Sequence, residues 1–204
     1  MSILNDKQIQ SLALSRGLIQ PFQASLVREL LDHSCDDLVY RKIISFGLSS
    51  FGYDIRLSRK QFEVFRHVPG QVVDPKNFGL GHLEEVELKR ADDGSEYFIL
   101  PGHTYGLGVA MERLQIPDDV TVLCIGKSTY ARCGVIANLT PAEAGWEGHL
   151  TLEFSNSSDT DCRIYANEGV VQLLFFRGEP CQTSYRDRRG KYQDQPHSVV
   201  PARV

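Results

Sequence analysis

The sequence lacks the features of a membrane-embedded or secreted protein. It has no run of about eighteen apolar residues, the length that a membrane-spanning helix needs. The N-terminus MSILNDKQ carries neither the basic stretch nor the apolar segment of a signal peptide. Its 5 cysteines form no CxxC pair, so we predict neither a disulfide framework nor a structural zinc site. We therefore expect a cytoplasmic protein with no membrane partner.

The chain also has little excess charge of either sign. Lys and Arg number 22 against 26 Asp and Glu, which gives a net charge of -4. The basic residues are dispersed, so the sequence lacks the positive patch of a nucleic-acid-binding protein. A length of 204 residues with 42% hydrophobic residues is typical of one globular domain. We expect a single domain over 1–204, no nucleic-acid partner, and a local cluster of cations for any bound phosphate.

The clearest helical patterning lies at the N-terminus. Asn5 and Gln8 have the spacing of a capping box, Ile9 and Leu12 share one face, and Gly17 can end the helix in the left-handed conformation.

The following segment, 24–42, fits either a short helix or two strands joined by an acidic turn, and its pattern does not decide between them. We treat 1–43 as the helix followed by a variable segment. The polar, basic tail over 186–204 has too little apolar content to pack alone. It is predicted to be a mobile end or, alternatively, a lid over a ligand.

From residue 44 onward the chain has the pattern of short strands and turns that is typical of an all-β protein. Short β-branched and aromatic runs alternate with Gly, Pro, Asn and Asp at intervals of about ten residues. The predicted strands are 52–58, 61–66, 95–100, 104–112, 120–126, 135–139, 148–156, 162–166 and 170–177. We predict a mainly β fold, a distorted jelly roll or β-barrel with an N-terminal helix, because such closure removes exposed edge strands.

The strand over 148–156 carries a candidate catalytic residue. Period two puts Leu152 and Phe154 on the core face and Glu153 on the opposite face. From this pattern alone, a solvent-exposed glutamate is favoured over a catalytic one. The preceding turn, 127–132, adds two cations and two hydroxyls within six positions, KSTYAR. Such a turn can offer hydrogen-bond donors to a polyphosphate, although the glycine spacing of a Walker phosphate loop is missing.

A zinc-dependent nucleobase deaminase is not supported. Its signature is H-x-E followed by P-C-x-x-C, and His82 with Glu84 supplies the first part. The second part fails because Pro180-Cys181 is followed at the required spacing by Ser184. The remaining histidines share no ligand spacing, so no zinc is expected.

Five sequence blocks, in order, resemble the bacterial dCTP deaminase family, a branch of the trimeric dUTPase-like fold. They are GKSTYAR (126–132), NLTP (138–141), GWEGHLTLEFSN (145–156), NEGVVQLLFF (167–176) and TSYRDRRGKYQDQ (183–195). Weaker similarity covers SSFGYD (49–54), VDPKNF (73–78) and the N-terminal helix. The segment 24–43 looks longer than its counterpart in the family, and 80–96 is highly polar.

This resemblance implies hydrolytic deamination of dCTP to dUTP and ammonia, which supplies dUTP for dUMP and dTTP synthesis. It also implies a homotrimer with active sites between subunits, Mg²⁺ bound through the triphosphate, and inhibition by dTTP. Glu153 matches the catalytic glutamate, assisted by Arg132 and Ser128. The other substrate-binding positions implied are Lys127, Thr129, Tyr130, Ala131, Thr151, Leu152, Gln172, Tyr185, Lys191 and Gln195.

The chemistry agrees with these implied roles. One carboxyl group can take a proton from water and return protons to N3 and to the leaving amine, provided that burial raises its pKa toward neutrality. Arg132 would stabilise charge but lower that pKa. We expect Ser128 and the backbone at Thr140 and Pro141 to hold the water.

The triphosphate would be met by Lys127, Lys191 and Tyr185. The tail that carries Gln195 would order over the bound nucleotide.

Two alternatives stay open. A dUTPase, or a bifunctional enzyme, is disfavoured because the loop over 139–146 has neither the Asp nor the Tyr of dUTPases, and KYQDQ (191–195) replaces their Gly-rich phosphate motif. A non-catalytic nucleotide-binding trimer is disfavoured because the sequence has both Glu153 and Arg132.

Overall fold

The computed structural model describes residues 1–32, 39–66, 68–138 and 140–204. The elements in chain order are β1 (Ser2–Ile3), α1 (Asp6–Arg16), β2 (Ile19–Gln20), β3 (Val27–Asp32), β4 (Val39–Ser49), β5 (Gly52–Phe65), a 3-10 turn (Leu80–His82), β6 (Leu83–Glu85), β7 (Lys89–Arg90), β8 (Glu96–Leu100), β9 (Tyr105–Gln115), β10 (Val120–Gly126), α2 (Ser128–Ala131), β11 (Val135–Ala137), β12 (Thr140–Ala142), β13 (Glu147–Asn156), β14 (Cys162–Tyr165) and β15 (Gly169–Arg177).

The N-terminal helix begins and ends where its sequence pattern predicts. The Gln8 backbone N–H donates to the Asn5 side chain at 3.1 Å, and the Asn5 N–H donates to the Gln8 side chain at 3.0 Å. Gly17 ends the helix with φ 68°, the left-handed conformation that glycine adopts without a steric penalty. Ile9 and Leu12 are buried and fix the helix to the body of the protein.

Most of the chain forms one large antiparallel sheet and one small one. The main path of the large sheet runs β11-β13-β9-β5-β15-β10-β12, and the small sheet runs β14-β8-β7. A cluster of apolar side chains fills the interior, where the Phe62 ring lies 5.3 Å from Phe98 and 5.8 Å from Phe154. This architecture confirms the predicted mainly β fold with an N-terminal helix.

The predicted strands are present, with changes at their ends. The two strands predicted at 52–58 and 61–66 are one, β5, which has a pairing irregularity between Leu57 and Phe62. The strand predicted over 135–139 ends at Ala137, and residue 139 lies outside the described residues.

The ambiguous segment 24–42 forms the strand pair rather than the helix. Strand β3 pairs antiparallel with β4, with Asp32 opposite Val39. The acidic turn predicted between them falls on residues 33–38, which lie outside the described part of the chain.

The C-terminal tail lies against the body of the protein. Val199 and Val200 are buried, and the Trp146 indole N–H donates to the Tyr192 carbonyl at 2.7 Å. The predicted mobility of the tail stays a prediction. In the described ranges, no helix has both the length and the apolar content to cross a membrane.

Candidate functional site

A cavity of about 490 Å³ lies on the outer face of β13, between β9, β12 and the tail. It is lined by Phe65, Phe78, Tyr105, Leu107, Thr140, Pro141, Glu143, Leu150, Thr151, Glu153, Tyr185, Lys191, Tyr192, Gln195, Val200 and Ala202. Strand alternation explains how β13 builds this face: Leu152 and Phe154 are buried in the core, whereas Thr151 and Glu153 point the other way.

Glu153 is half-buried, and this burial raises the pKa of its carboxyl group. Its charge in turn contributes, after burial, to raising the pKa of Tyr105 and that of Cys124, the latter to about 12. Asn138 links the strands here, because its backbone N–H donates to the Glu153 carbonyl at 3.1 Å and its side chain donates to the Tyr105 hydroxyl. A carboxyl group with a raised pKa can both accept and return a proton near neutral pH.

The wall beside Glu153 is aromatic. The Phe65 ring meets Tyr105 edge-on at 5.2 Å and lies 5.7 Å from Phe78. Flat apolar side chains with a few converging polar groups are typical of a site for a planar ring. The pocket can therefore hold a heterocyclic base next to a carboxyl group that exchanges protons.

The tail supplies the polar groups on the opposite side. The Gln195 side-chain oxygen accepts hydrogen bonds from the Thr151 backbone N–H at 3.2 Å and from its hydroxyl at 3.0 Å. The Lys191 ammonium donates to the Arg203 carbonyl at 2.5 Å, and the Tyr185 hydroxyl accepts from the Tyr192 N–H at 3.0 Å.

The turn over 127–132 lies apart from this cavity. Ser128, Thr129 and Arg132 are exposed, and none of them lines the pocket around Glu153. Tyr130 is buried instead, where its hydroxyl accepts a hydrogen bond from the Tyr165 N–H at 2.9 Å. The turn thus presents two hydroxyls and a guanidinium to solvent.

The Lys127 side chain points inward. Its ammonium pairs with the Asp54 carboxylate and donates to the Ser45 hydroxyl at 3.1 Å. Burial raises the pKa of Asp54, while Lys127 opposes that shift, as does, more weakly, the side chain of Gln172, which lies across from Asp54 in the sheet. This inward pair anchors the start of the turn to β5.

The predicted site residues therefore form one group in the cavity and a second group outside it, and a further residue, Leu152, lies in the core. The cavity brings together Glu153, Thr151, Tyr185, Lys191 and Gln195. Residues 127–132 and Gln172 lie elsewhere. Leu152, predicted to contact substrate, has its side chain in the core.

The aromatic wall was not predicted from the sequence. Tyr105 and Leu107 reach the pocket because β9 pairs with β13, which places Leu107 opposite Glu153. That register joins positions far apart in the chain, and no local pattern indicates it. For Phe78 a signal existed, because it lies in the VDPKNF segment that resembled the family.

Comparison with known proteins decides the family. A family model described as dCTP deaminase-like matches residues 3–178. The chain belongs to the dCTP deaminase-like family. A protein from Xylella fastidiosa named dCTP deaminase is 45% identical over 204 residues, covering 98% of this chain and 99% of its own. A dCTP deaminase from Xanthomonas euvesicatoria is 46% identical over 202 residues, with the same coverage.

The fold of the dCTP deaminase-like family is also seen in a solved structure. The crystal structure of 2'-deoxycytidine 5'-triphosphate deaminase from Agrobacterium tumefaciens matches with a TM-score of 0.52 and 19% identity. The match covers 86% of this chain and 48% of that one, so this chain spans about half the length of that protein. At this identity the match concerns the fold alone.

Proposed function

We propose that this enzyme catalyses hydrolytic deamination of dCTP to dUTP and ammonia. The observation that carries the proposal is the half-buried Glu153 in an aromatic-walled pocket, with a pKa raised by burial. It stands in a chain of the dCTP deaminase-like family whose relatives at 45% and 46% identity are named dCTP deaminase. The product dUTP would feed reactions that supply dUMP and dTTP.

In the proposed reaction, Glu153 acts as general base and then as general acid. Its carboxylate removes a proton from water while the water oxygen attacks C4 of cytosine, and that proton passes to N3. The second proton of the water then passes through the carboxyl group to the amine. The C4–N bond breaks, ammonia leaves, and the water oxygen remains as the C4 carbonyl of uracil.

We further propose that the functional unit is a homotrimer in which the 127–132 turn of a neighbouring copy completes each pocket. Two observations support this. The exposed Ser128 and Arg132 do not line the pocket of their own chain, and no arginine or serine is among the described residues that line it. A second copy can supply both groups, as heterologous contacts in closed rings do.

The triphosphate in this proposal is bound by Lys191 and Tyr185 from the tail and by the donor groups of the turn. Mg²⁺ would accompany the nucleotide, because this ion keeps several waters and binds through substrate phosphates. The donor set fits that mode, since no three His, Cys, Asp or Glu side chains cluster among the described residues. The nucleotide dTTP would compete for the same site as an inhibitor.

The deciding experiment is incubation of the purified protein with dCTP. We expect equal amounts of dUTP and ammonia. Formation of dUMP and pyrophosphate would replace the proposal by a bifunctional enzyme. If dCTP binds but no product forms, the chain is a nucleotide-binding protein and the proposed activity is wrong. Initial rates with and without dTTP test the inhibition.

A further inference from the structure

The C-terminal tail is seated on one end of β13 by backbone hydrogen bonds. The Asp194 N–H donates to the Glu147 carbonyl at 2.9 Å, and the His149 N–H donates to the Gln195 carbonyl at 3.0 Å. Gly148 lies between these bonds with φ 136°, and a Cβ placed there would lie 2.5 Å from the Gln195 nitrogen. Only glycine lets the tail approach this closely.

Two histidines stack next to these backbone hydrogen bonds, where the tail continues beyond Gln195. The rings of His149, on β13, and His197, in the tail, lie 4.2 Å apart and within 7° of parallel. The His149 Nδ1 lies 3.1 Å from the Ala110 carbonyl. Because a carbonyl only accepts, this nitrogen carries the proton of a neutral ring. The His197 Nε2 is buried without a hydrogen-bond partner among the described residues.

The surroundings of the stack disfavour positive charge. Lys60 on β5 and Arg113 on β9 both act on it, and Arg113 is itself paired with Glu147. Burial first, then the opposite ring and Lys60, lower the pKa of His197 to about 4. Burial lowers the pKa of His149 as well, against its bond to Ala110.

We propose that His149 and His197 are positioning residues whose neutral stack holds the tail on β13, so that protonation of the stack releases Gln195 and Lys191 from the pocket. The geometry connects the stack to the pocket directly. Gln195 lies two residues before His197 and is hydrogen-bonded to Thr151. On the other side, the Val200 N–H donates to the Thr151 hydroxyl at 3.1 Å. The stack therefore lies between the two contacts that hold this segment on Thr151.

The direction of the pH effect follows from proton linkage. A histidine in the released tail has the ordinary pKa of about 6.5, whereas the docked His197 has a pKa of about 4. Above pH 6.5 both forms are neutral, and docking does not depend on pH. Below it the released tail binds more protons at His197, so the docking equilibrium weakens by about tenfold per pH unit until the docked pKa of about 4 is reached.

Trp146 provides a probe of docking that is independent of activity. It is the chain's only tryptophan, it is 4% exposed, and its indole N–H is bonded to the tail at Tyr192. Tail release therefore exposes the indole to water and shifts its fluorescence emission to the red. Circular dichroism of the sheet, recorded in parallel, separates release from global unfolding.

The experiment titrates the full-length protein from pH 8 to pH 4. We expect a red shift between pH 6.5 and pH 4 in the wild type and in the matched control Ser198→Ala. His197→Phe keeps a flat ring that cannot be protonated, and a charged His149 can still rest on that ring as a cation–π pair, so its emission should stay constant. His197→Ala should emit to the red at every pH. A wild type without the shift, or a His197→Phe variant that shifts like the wild type, overturns the proposal.

The consequence for catalysis rests on the proposed function and is measured separately. Below pH 6.5 the KM for dCTP should rise more steeply in the wild type than in His197→Phe, while an acid limb that the two share does not arise from His197. If neither protein turns over dCTP but the wild type alone shows the fluorescence shift, the positioning role stands and the proposed function fails.

Discussion

The pocket around Glu153 and the turn over 127–132 differ in how completely one chain builds them. The pocket has an aromatic wall, a half-buried carboxyl group and a tail seated across it. The turn presents Ser128, Thr129 and Arg132 to solvent, and its remaining cation, Lys127, is neutralised by Asp54. The residue that changes protonation in the proposed reaction is thus half-buried within the chain, whereas the groups proposed to stabilise charge and bind phosphate are exposed.

The largest effect is expected from removing the titratable group of the pocket. Glu153→Gln keeps the shape of the side chain but cannot accept a proton from water, so ammonia release should fall by about a thousandfold or more. Binding of dCTP should stay within about tenfold, which equals about 1.4 kcal/mol. Coupled ammonia assays and calorimetric titration measure the two quantities.

Glu143→Gln is the matched control, because Glu143 lines the same pocket but has a side chain that is 45% exposed and paired with Arg188. It should stay within a few-fold of the wild type. Full activity of Glu153→Gln would remove Glu153 from the mechanism.

The next effect tests whether the two regions meet across a subunit boundary. Arg132→Ala removes a charge-stabilising donor and should lower kcat by about a hundredfold. If each site combines Glu153 of one copy with Arg132 of a neighbour, mixing Arg132→Ala with Glu153→Gln subunits before reassembly restores about a quarter of the sites by random association. Activity that stays at the level of the separate variants after mixing would place both residues in one chain.

The sequence predicted those parts of the molecule that depend on neighbouring residues. The capped helix α1 ends at Gly17 because its caps and apolar face lie within a few positions of each other. The alternation in β13 put Glu153 off the core face for the same reason. For β3 and β4 the local pattern could not choose between a helix and a strand pair, because a strand is stabilised by its pairing partner, and that pairing is not visible in the local pattern.

The polar functional side chains of the site could be predicted from the sequence, whereas its aromatic lining could not. Glu153, Gln195 and Lys191 carry functional groups that a family resemblance marks. Tyr105 enters the pocket only through the pairing of β9 with β13, and Phe65 through the pairing of β5 with β9. Such long-range register depends on the whole sheet. The inward direction of Lys127 depends likewise on Asp54, 73 positions earlier.

A smaller effect is expected from releasing the tail from β13. Release would open the pocket to solvent and make it resemble the exposed turn over 127–132. Gly148→Ala places a Cβ 2.5 Å from the Gln195 nitrogen in a backbone conformation that favours glycine. The KM for dCTP should rise by about tenfold, the free-energy equivalent of one or two lost hydrogen bonds. Trp146 emission should shift to the red already at pH 8.

Gly178→Ala serves as the control for this change. A Cβ at Gly178 meets no atom within 4 Å, and Gly178 does not adopt the left-handed conformation. Its kinetics and emission should match the wild type. A Gly148→Ala variant with unchanged emission would show that the tail is held by contacts elsewhere.

The smallest effect on activity is expected at the inward anchor of the turn. Asp54→Asn keeps the shape of the side chain but leaves the largely buried Lys127 ammonium without its counter-charge. Breaking such a pair should lower the free energy of unfolding by about 3 kcal/mol, measured by thermal unfolding at fixed protein concentration. Because the exposed groups of the turn are untouched, the KM for dCTP should stay within about threefold. A tenfold rise in KM without loss of stability would instead assign Lys127 and Asp54 to phosphate binding. Both cations of the turn, Lys127 and Arg132, would then contact the nucleotide.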